Sequence, residues 1–198
     1  QARLVEPAGD AEFTGPFGSS SVWKFTVGGT FAKAASGFTQ PIDVQVDTAG
    51  NIYVVENFVS GTGGFVKKAN ASGVTVIVGG LSSGLSGDAG PAASAKVRFP
   101  SAVTLDNEGN LYIADTFNFR IRKVDTSGVI TTLAGTTYGF SGDGGAASEV
   151  NISTVSGIGI DPAGDLYLVD ASSERVRVVR GVAPPVSVTS ISPASGIQ

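Results

Sequence analysis

The chain has 198 residues, rich in Gly (28) and without Cys, Met or His, a length that suits one domain with a sizeable core or one domain and a short tail. The missing residue types exclude disulfides, thiolate or imidazole metal sites and a Ser–His–Asp triad, leaving carboxylate chemistry, carboxylate-bound Ca²⁺ or no catalysis. Charged residues are 15% of the chain and net charge is −4, which argues against nucleic acid as a partner, and no apolar run approaches the roughly 20 residues that cross a bilayer as a helix.

In chain order, the first unit (residues 1–36) is degenerate. Glu6-Pro7-Ala8-Gly9-Asp10 resembles the later Asp161-Pro162-Ala163-Gly164-Asp165, with strand-like segments at Ala2 to Glu6, Val22 to Lys24 and Thr30 to Ala34. Trp23 and Phe17 in this unit are expected in the core or as anchors for a partner. In residues 37–80, Ile42, Val44 and Val46 alternate with Asp43 and Gln45, the pattern of a half-buried strand. Asp47-Thr48-Ala49-Gly50-Asn51 then reads as a hairpin turn, the Asp bonding its own backbone and the Gly supplying positive φ. Strands follow at Ile52 to Glu56, Phe65 to Ala69 and Val74 to Val78. A Gly-rich loop (81–97) leads to unit 98–135, where the turn recurs at Asp106 to Asn110, followed by strands from Leu111, Arg120 and Val129. A sister loop (136–149) leads to unit 150–191, with the turn at Asp161 to Asp165 and strands at Leu166 to Asp170 and Arg175 to Arg180. Pro184-Pro185 interrupts this unit, and Val186 to Ile191 is a candidate fourth strand.

A ten-residue pattern returning at intervals of about 55 to 59 residues marks tandem supersecondary units. Each is a four-stranded antiparallel meander that cannot cover both of its faces alone, so neighbouring copies stack and share a core. The fold class is therefore all-β, a β-propeller of about four four-stranded blades. No segment sustains a 3.6-residue apolar period, and an immunoglobulin-type sandwich leaves the repeat unexplained.

The segments Phe99-Pro100-Ser101-Ala102-Val103-Thr104-Leu105-Asp106, Gly109-Asn110-Leu111-Tyr112-Ile113-Ala114-Asp115 and Asn118-Phe119-Arg120-Ile121-Arg122-Lys123-Val124 resemble NHL repeats. The loops Leu85-Ser86-Gly87-Asp88-Ala89-Gly90-Pro91-Ala92 and Phe140-Ser141-Gly142-Asp143-Gly144-Gly145-Ala146-Ala147 resemble inter-blade loops of exported bacterial NHL proteins. The resemblance implies a propeller, usually of about six blades, that serves most often as a binding platform. This chain offers four units, so either four blades close alone or the ring is incomplete or completed by another chain. A peptide-amidating lyase shares the fold, but its zinc is His-bound, and that activity does not carry over to a chain without His. Val188 to Gly196 resembles the start of an Ig-like IPT/TIG domain. The organisation expected is a propeller over 1–183 and a strand or tail over 184–198.

Glu56, Asp115 and Asp170 close the second strands; they are expected to bond backbone or a cation of their own blade such as Arg120 or Arg175, and otherwise to form an acid ring able to hold Ca²⁺. Asp88 and Asp143, in the Gly-rich loops, are the weak metal candidates, with capped turns as the structural alternative. Arg120, Arg122, Lys123, Arg175, Arg177 and Arg180 read as a solvated blade face, or otherwise as a polyanion-binding strip. Asn70-Ala71-Ser72 and Asn151-Ile152-Ser153 match the N-glycosylation sequon. No catalytic residue and no resident cofactor is assigned. The composition fits an exported chain, and the missing initiator is expected to mean either a cleaved leader or a fragment. The function expected is a non-catalytic extracellular interaction or assembly protein. It would self-associate through blade edges or terminal strands, with Leu4, Val186, Val188 and Ile191 as assembly positions, and extend into filaments where the contact does not close. The alternatives are a Ca²⁺-dependent hydrolase or lactonase-like enzyme, and a binding-platform fragment of a larger surface protein.

Overall fold

A computed structural model describes residues 3–5, 11–14, 20–25, 29–57, 63–181 and 187–191. Among these residues the chain forms four antiparallel sheets, each a meander in sequential order, with one earlier segment added at the edge of the third. The first contains β1 (Arg3–Val5), β2 (Ala11–Thr14), β3 (Ser21–Phe25) and β4 (Phe31–Ser36). The second contains β5 (Pro41–Val46), β6 (Ile52–Asn57), β7 (Gly64–Asn70) and β8 (Gly73–Gly80). After the short β9 (Gly90–Pro91), the third is built from β10 (Ala102–Leu105), β11 (Leu111–Asp115), β12 (Arg120–Val124) and β13 (Val129–Ala134). The fourth contains β14 (Val155–Ile160), β15 (Leu166–Asp170), β16 (Arg175–Arg180) and β17 (Ser187–Ile191). The remaining regular structure among the described residues is a set of single 3₁₀ turns, two of which follow β11 and β15.

The repeated turn works as its residue types imply. Asp106 Oδ1 accepts the amides of Glu108 (3.0 Å) and Asn110 (2.8 Å), while Oδ2 accepts Asn110 Nδ2 (2.7 Å) and the Tyr112 hydroxyl (3.0 Å). Gly109 takes φ +88°, where a side chain would be strained. Burial acts to raise the Asp106 pKa, but the Asn110 side chain and amide, the Tyr112 hydroxyl and the Glu108 amide together hold it below the ordinary carboxylate range. Asp47 and Asp161 anchor the same turn.

Three apolar clusters lie between the four sheets, one for each junction. Val22, Val44 and Val54 join the first and second sheets; Val55, Val66, Ile113 and Ile130 join the second and third; Tyr112, Ile121, Leu166 and Leu168 join the third and fourth. Burial along a strand follows from its place in this stack. All five residues of β11 are buried, because the third sheet is covered on both faces. On β15 buried and more exposed residues alternate, because one face of the fourth sheet has a neighbour.

One feature departs from the sequence expectation. The loop at 81–97 is not wholly irregular: β9 pairs antiparallel with β13, Pro91 opposite Val129, adding a fifth edge segment to the third sheet. The terminal strands pair as edge strands of their own sheets, β1 with β2 and β17 with β16, the latter as the fourth strand of its unit. Leu4 thus pairs opposite Glu12, Val188 opposite Val179 and Ile191 opposite Val176. Val186, Phe17 and the IPT/TIG-like tail beyond Ile191 lie outside the described residues.

Gly135, which follows β13, has φ +94°, and an added Cβ would run into the Phe119 carbonyl oxygen and approach Ile152 Cδ1 to 3.0 Å. Gly128 has φ +83° with nothing within 4 Å of an added Cβ. In urea unfolding, Gly135→Ala is expected to lose at least about 2 kcal/mol through strain plus collision. Gly128→Ala, with backbone strain alone, is expected to lose about 1 kcal/mol.

Candidate functional site

In each sheet the second strand ends, the third begins and the inter-sheet loop arrives at one end of the stack, and most of the side chains singled out by sequence gather there. The acids closing the second strands are fully buried and act as latches. Glu56 accepts the amide of Thr39 (2.8 Å), Asp115 that of Arg98 (2.7 Å) and Asp170 that of Ser153 (3.4 Å), each tying the strand end to the segment that enters its own sheet. Asp170 also accepts the Ser153 hydroxyl.

Their cationic partners differ from those expected. Lys67 Nζ lies 2.8 Å from Glu56, Arg122 Nη1 lies 3.4 Å from Asp115 and Arg177 Nη1 lies 3.5 Å from Asp170. Arg120 and Arg175 instead donate to the Asn118 and Ser173 carbonyls of the 3₁₀ turns. Arg122 and Arg177 therefore leave the solvated face to which sequence assigned them: both guanidinium side chains are 0% exposed. The reason lies in the Gly-rich loops, which fold over them. Arg122 Nη2 donates to Asp88 Oδ1 (2.8 Å) and the Ser86 carbonyl (3.2 Å). Arg177 donates through Nε (3.0 Å) and Nη2 (2.7 Å) to Asp143 Oδ1, and on to the Ser141 and Asn151 carbonyls. Burial, outweighing the Arg98 amide, Asn118 and Arg122, raises the Asp115 pKa to about 6.

Asp88 and Asp143, the metal candidates, thus spend their carboxylates on buried guanidinium groups, and Asp88 also accepts the Thr132 hydroxyl at 2.7 Å. A Ca²⁺ ion there would sit beside a fixed positive charge. Among the described residues no three His, Cys, Asp or Glu side chains converge as metal ligands. Of the two sequons, Asn70 is exposed at the end of β7, its Oδ1 accepting the Ser72 amide at 2.8 Å. Asn151 Oδ1 is held by the Thr136 and Thr137 hydroxyls, and Ser153 is buried.

Sequence reasoning passed over two features of the region. The first is a set of rings exposed at this end. Phe117 (41% exposed) packs against Phe99 at 4.9 Å with the Arg98 guanidinium 6.0 Å away. Tyr138 (60%) packs against Phe119 at 5.2 Å. Phe140 (41%) lies under the guanidinium groups of Arg175 and Arg177 at 4.1 and 5.1 Å. Phe119 is held at φ +58°, a conformation uncommon for a bulky residue and frequent at functional sites. A signal was present in the loop repeat, where Leu85 in one copy answers to Phe140 in the other.

The second is Asp43, which breaks the repeat on the innermost strands: Ala102 and Gly157 hold its position in the third and fourth sheets. Its Oδ2 accepts the Val103 amide of the neighbouring sheet at 2.8 Å. Burial raises its pKa to about 6 against the pull of the Val103 and Val44 amides.

Comparison with known proteins agrees with this geometry. Residues 80–140 match the Teneurin NHL domain family. Human Teneurin-4 is 34% identical over 103 residues, covering 45% of this chain and 4% of Teneurin-4. A Bacteroides thetaiotaomicron protein of unknown function superposes with TM-score 0.75 at 19% identity over 94% of this chain and 46% of that one. An auxiliary nutrient binding protein from Bacteroides ovatus gives 0.69 at 16% identity over 95% and 48%. Virginiamycin B lyase from Staphylococcus aureus gives 0.60 at 11% identity over 98% and 55%. The chain spans a small fraction of Teneurin-4 and about half the length of these solved chains. Repeat, sheets and structural neighbours together define an all-β protein of the β-propeller fold, in which residues 80–140 match an NHL domain family.

Two outcomes are expected. Arg122→Met leaves Asp115 buried beside no cation and should cost about 3–5 kcal/mol in urea unfolding. Asp88→Asn, at a carboxylate 48% exposed, should cost less than about 1 kcal/mol. For Asp43 the folded pKa lies above the unfolded value of 3.8, so the folded state binds the extra proton and its carboxylate is destabilising at neutral pH. Asp43→Asn should therefore be more stable than the parent by about 1–3 kcal/mol at pH 7. Melting curves should show that advantage shrinking as pH falls through 6 and vanishing near 4.

Proposed function

We propose that this chain is an exported, non-catalytic binding module that takes a glycan on the loop-bearing end of its propeller. The exposed rings of Phe117, Tyr138 and Phe140 carry the reading. Each is braced by a second ring or a guanidinium group, so an apolar face is presented to solvent without a large entropy cost on binding. Such a face stacks on the C–H face of a sugar ring, while the guanidinium donors of Arg98 and Arg175 lie where they can reach hydroxyl oxygens at the rim.

The name of the Bacteroides ovatus neighbour, an auxiliary nutrient binding protein, supports a binding role, and Teneurin-4 as a relative and the low charge content support export. The enzymatic alternative, suggested by the lyase neighbour, is less favoured. The buried acids at this end are held by backbone amides and cations rather than aimed at a shared reaction centre.

Binding of the purified chain to a glycan array, followed by titration of the glycan retained, tests this reading. Tyr138→Ala and Phe140→Ala should each weaken binding about thirtyfold, the loss of a central aromatic anchor, with unchanged unfolding midpoints. An array without a binder, or a glycan bound equally well by both variants, would show the reading to be wrong.

A further inference from the structure

The third and fourth sheets bring arginines to the loop-bearing end in two layers, and the layers differ in their counterions. Arg122 and Arg177 lie deep, and each has two carboxylates, Asp115 with Asp88 and Asp170 with Asp143. Arg120 and Arg175 hold the outer position of the same strands, one repeat apart. Both are half-buried, and each is pinned through Nη1 to a neutral partner, the Asn118 carbonyl at 2.6 Å and the Ser173 carbonyl at 3.0 Å. Arg175 also lies over the Phe140 ring at 4.1 Å. Arg98, exposed and 6.0 Å from the Phe117 ring, is a third cation of this kind. Among the described residues none of these three guanidinium groups lies within ion-pair distance of a carboxylate. Drawing a cation partly out of water without a counterion is costly, and one layer deeper the same strands supply the acids. The exposed acids Glu149 and Glu174 are outnumbered at this end by Lys96, Arg98, Arg120 and Arg175. The chain as a whole nevertheless carries −4, because turn acids such as Asp47, Asp106, Asp125 and Asp161 gather at the opposite end of the meanders.

We infer that the glycan taken at this end is acidic, a chain of hexuronate-type sugars. Its carboxylates pair with Arg98, Arg120 and Arg175 while its rings stack on Phe117, Tyr138 and Phe140. This rests on the glycan reading above and adds to it the charge of the sugar. A guanidinium anchored through one nitrogen keeps further N–H donors free, and its planar fork matches a carboxylate. A hexuronate carries that carboxylate, ionised at neutral pH, on the same pyranose that offers a C–H face. One sugar therefore answers a ring and a cation set side by side, as Phe140 and Arg175 are. The positive potential of this end also favours encounter with a polyanionic chain.

Titration calorimetry with tetramers of galacturonate, glucuronate, mannuronate and guluronate tests the inference, each run beside its carboxyl-reduced neutral partner. At least one hexuronate should bind about tenfold or more tightly than its partner, a margin that shrinks at about 0.5 M NaCl. Arg120→Gln and Arg175→Gln should each weaken hexuronate binding about tenfold and affect the neutral partner much less, with unfolding midpoints checked in parallel. Arg175→Lys, which keeps the charge and loses the fork, should recover only part of the loss. Arg98→Gln, at an exposed side chain, carries the same expectation should either inner variant fail to fold. A neutral partner bound as tightly as its hexuronate, or hexuronate binding unmoved by the Gln variants, would overturn the inference and leave the glycan reading standing. Heparin bound as tightly as the best hexuronate and indifferent to Arg175→Lys would overturn it too, by revealing a surface for any polyanion. No binding to any tetramer or to any glycan of the array would remove the glycan reading and this inference together.

Discussion

Covering both faces of a small sheet is the constraint on which the rest of this molecule depends. A four-stranded meander exposes two apolar surfaces, and burial returns roughly 25 cal/mol for each Å² removed from water. With no disulfide to constrain the unfolded chain, that term must come from the neighbouring copy. Three junction clusters for four sheets are the direct consequence. The same constraint explains why β11 has no alternation of burial while β15 has one: side chains on both faces of an internal sheet become core.

The second organising interaction is the buried guanidinium clamp. A third-strand arginine inside a junction would be costly alone, so two carboxylates and loop carbonyls converge on it. In the third sheet these are Asp88, Asp115 and the Ser86 carbonyl; in the fourth, Asp143, Asp170 and the Ser141 and Asn151 carbonyls. The clamp closes the Gly-rich loop over the sheet and fixes where its outer residues lie. Phe140 owes its position to this, stacked under Arg177 while Arg177 holds Asp143 three residues further along the loop wall. The acids that could have served a metal or a reaction are what make the exposed ring surface rigid.

Much of this was legible in the amino-acid order, and the misses have a common cause. Asp106, Gly109 and Tyr112 act within six residues of one another, so local turn chemistry was enough to place them. Arg122 meets Asp88 across 34 residues, and strand alternation alone assigns it to solvent. Nothing local says that a loop from the previous unit will cover it. The β9 pairing with β13 and the Asp43–Val103 bond are likewise contacts between units. The exposed rings were hidden for a different reason: aromatic residues in a β-rich chain are expected inside, and their exposure follows from loop geometry.

The two end faces show what the repeat does when it has no further copy of itself within these four sheets. Sequence pointed to the terminal strands as the means of association, on the argument that unpaired backbone edges attract partners. β17 pairs with β16 along five residues and β1 with β2, so each is the edge strand of its own sheet and keeps one backbone edge turned outward. Side-chain surface on the end sheets is open as well, and its composition has shifted. The clamp arginine gives way to Trp23 in the first sheet, while Ala114 and Ile121 are answered by Val169 and Val176 in the fourth. A face meant for permanent exposure would be expected to gain charge at such positions. Trp23, Phe25, Val169 and Val176 keep them apolar instead.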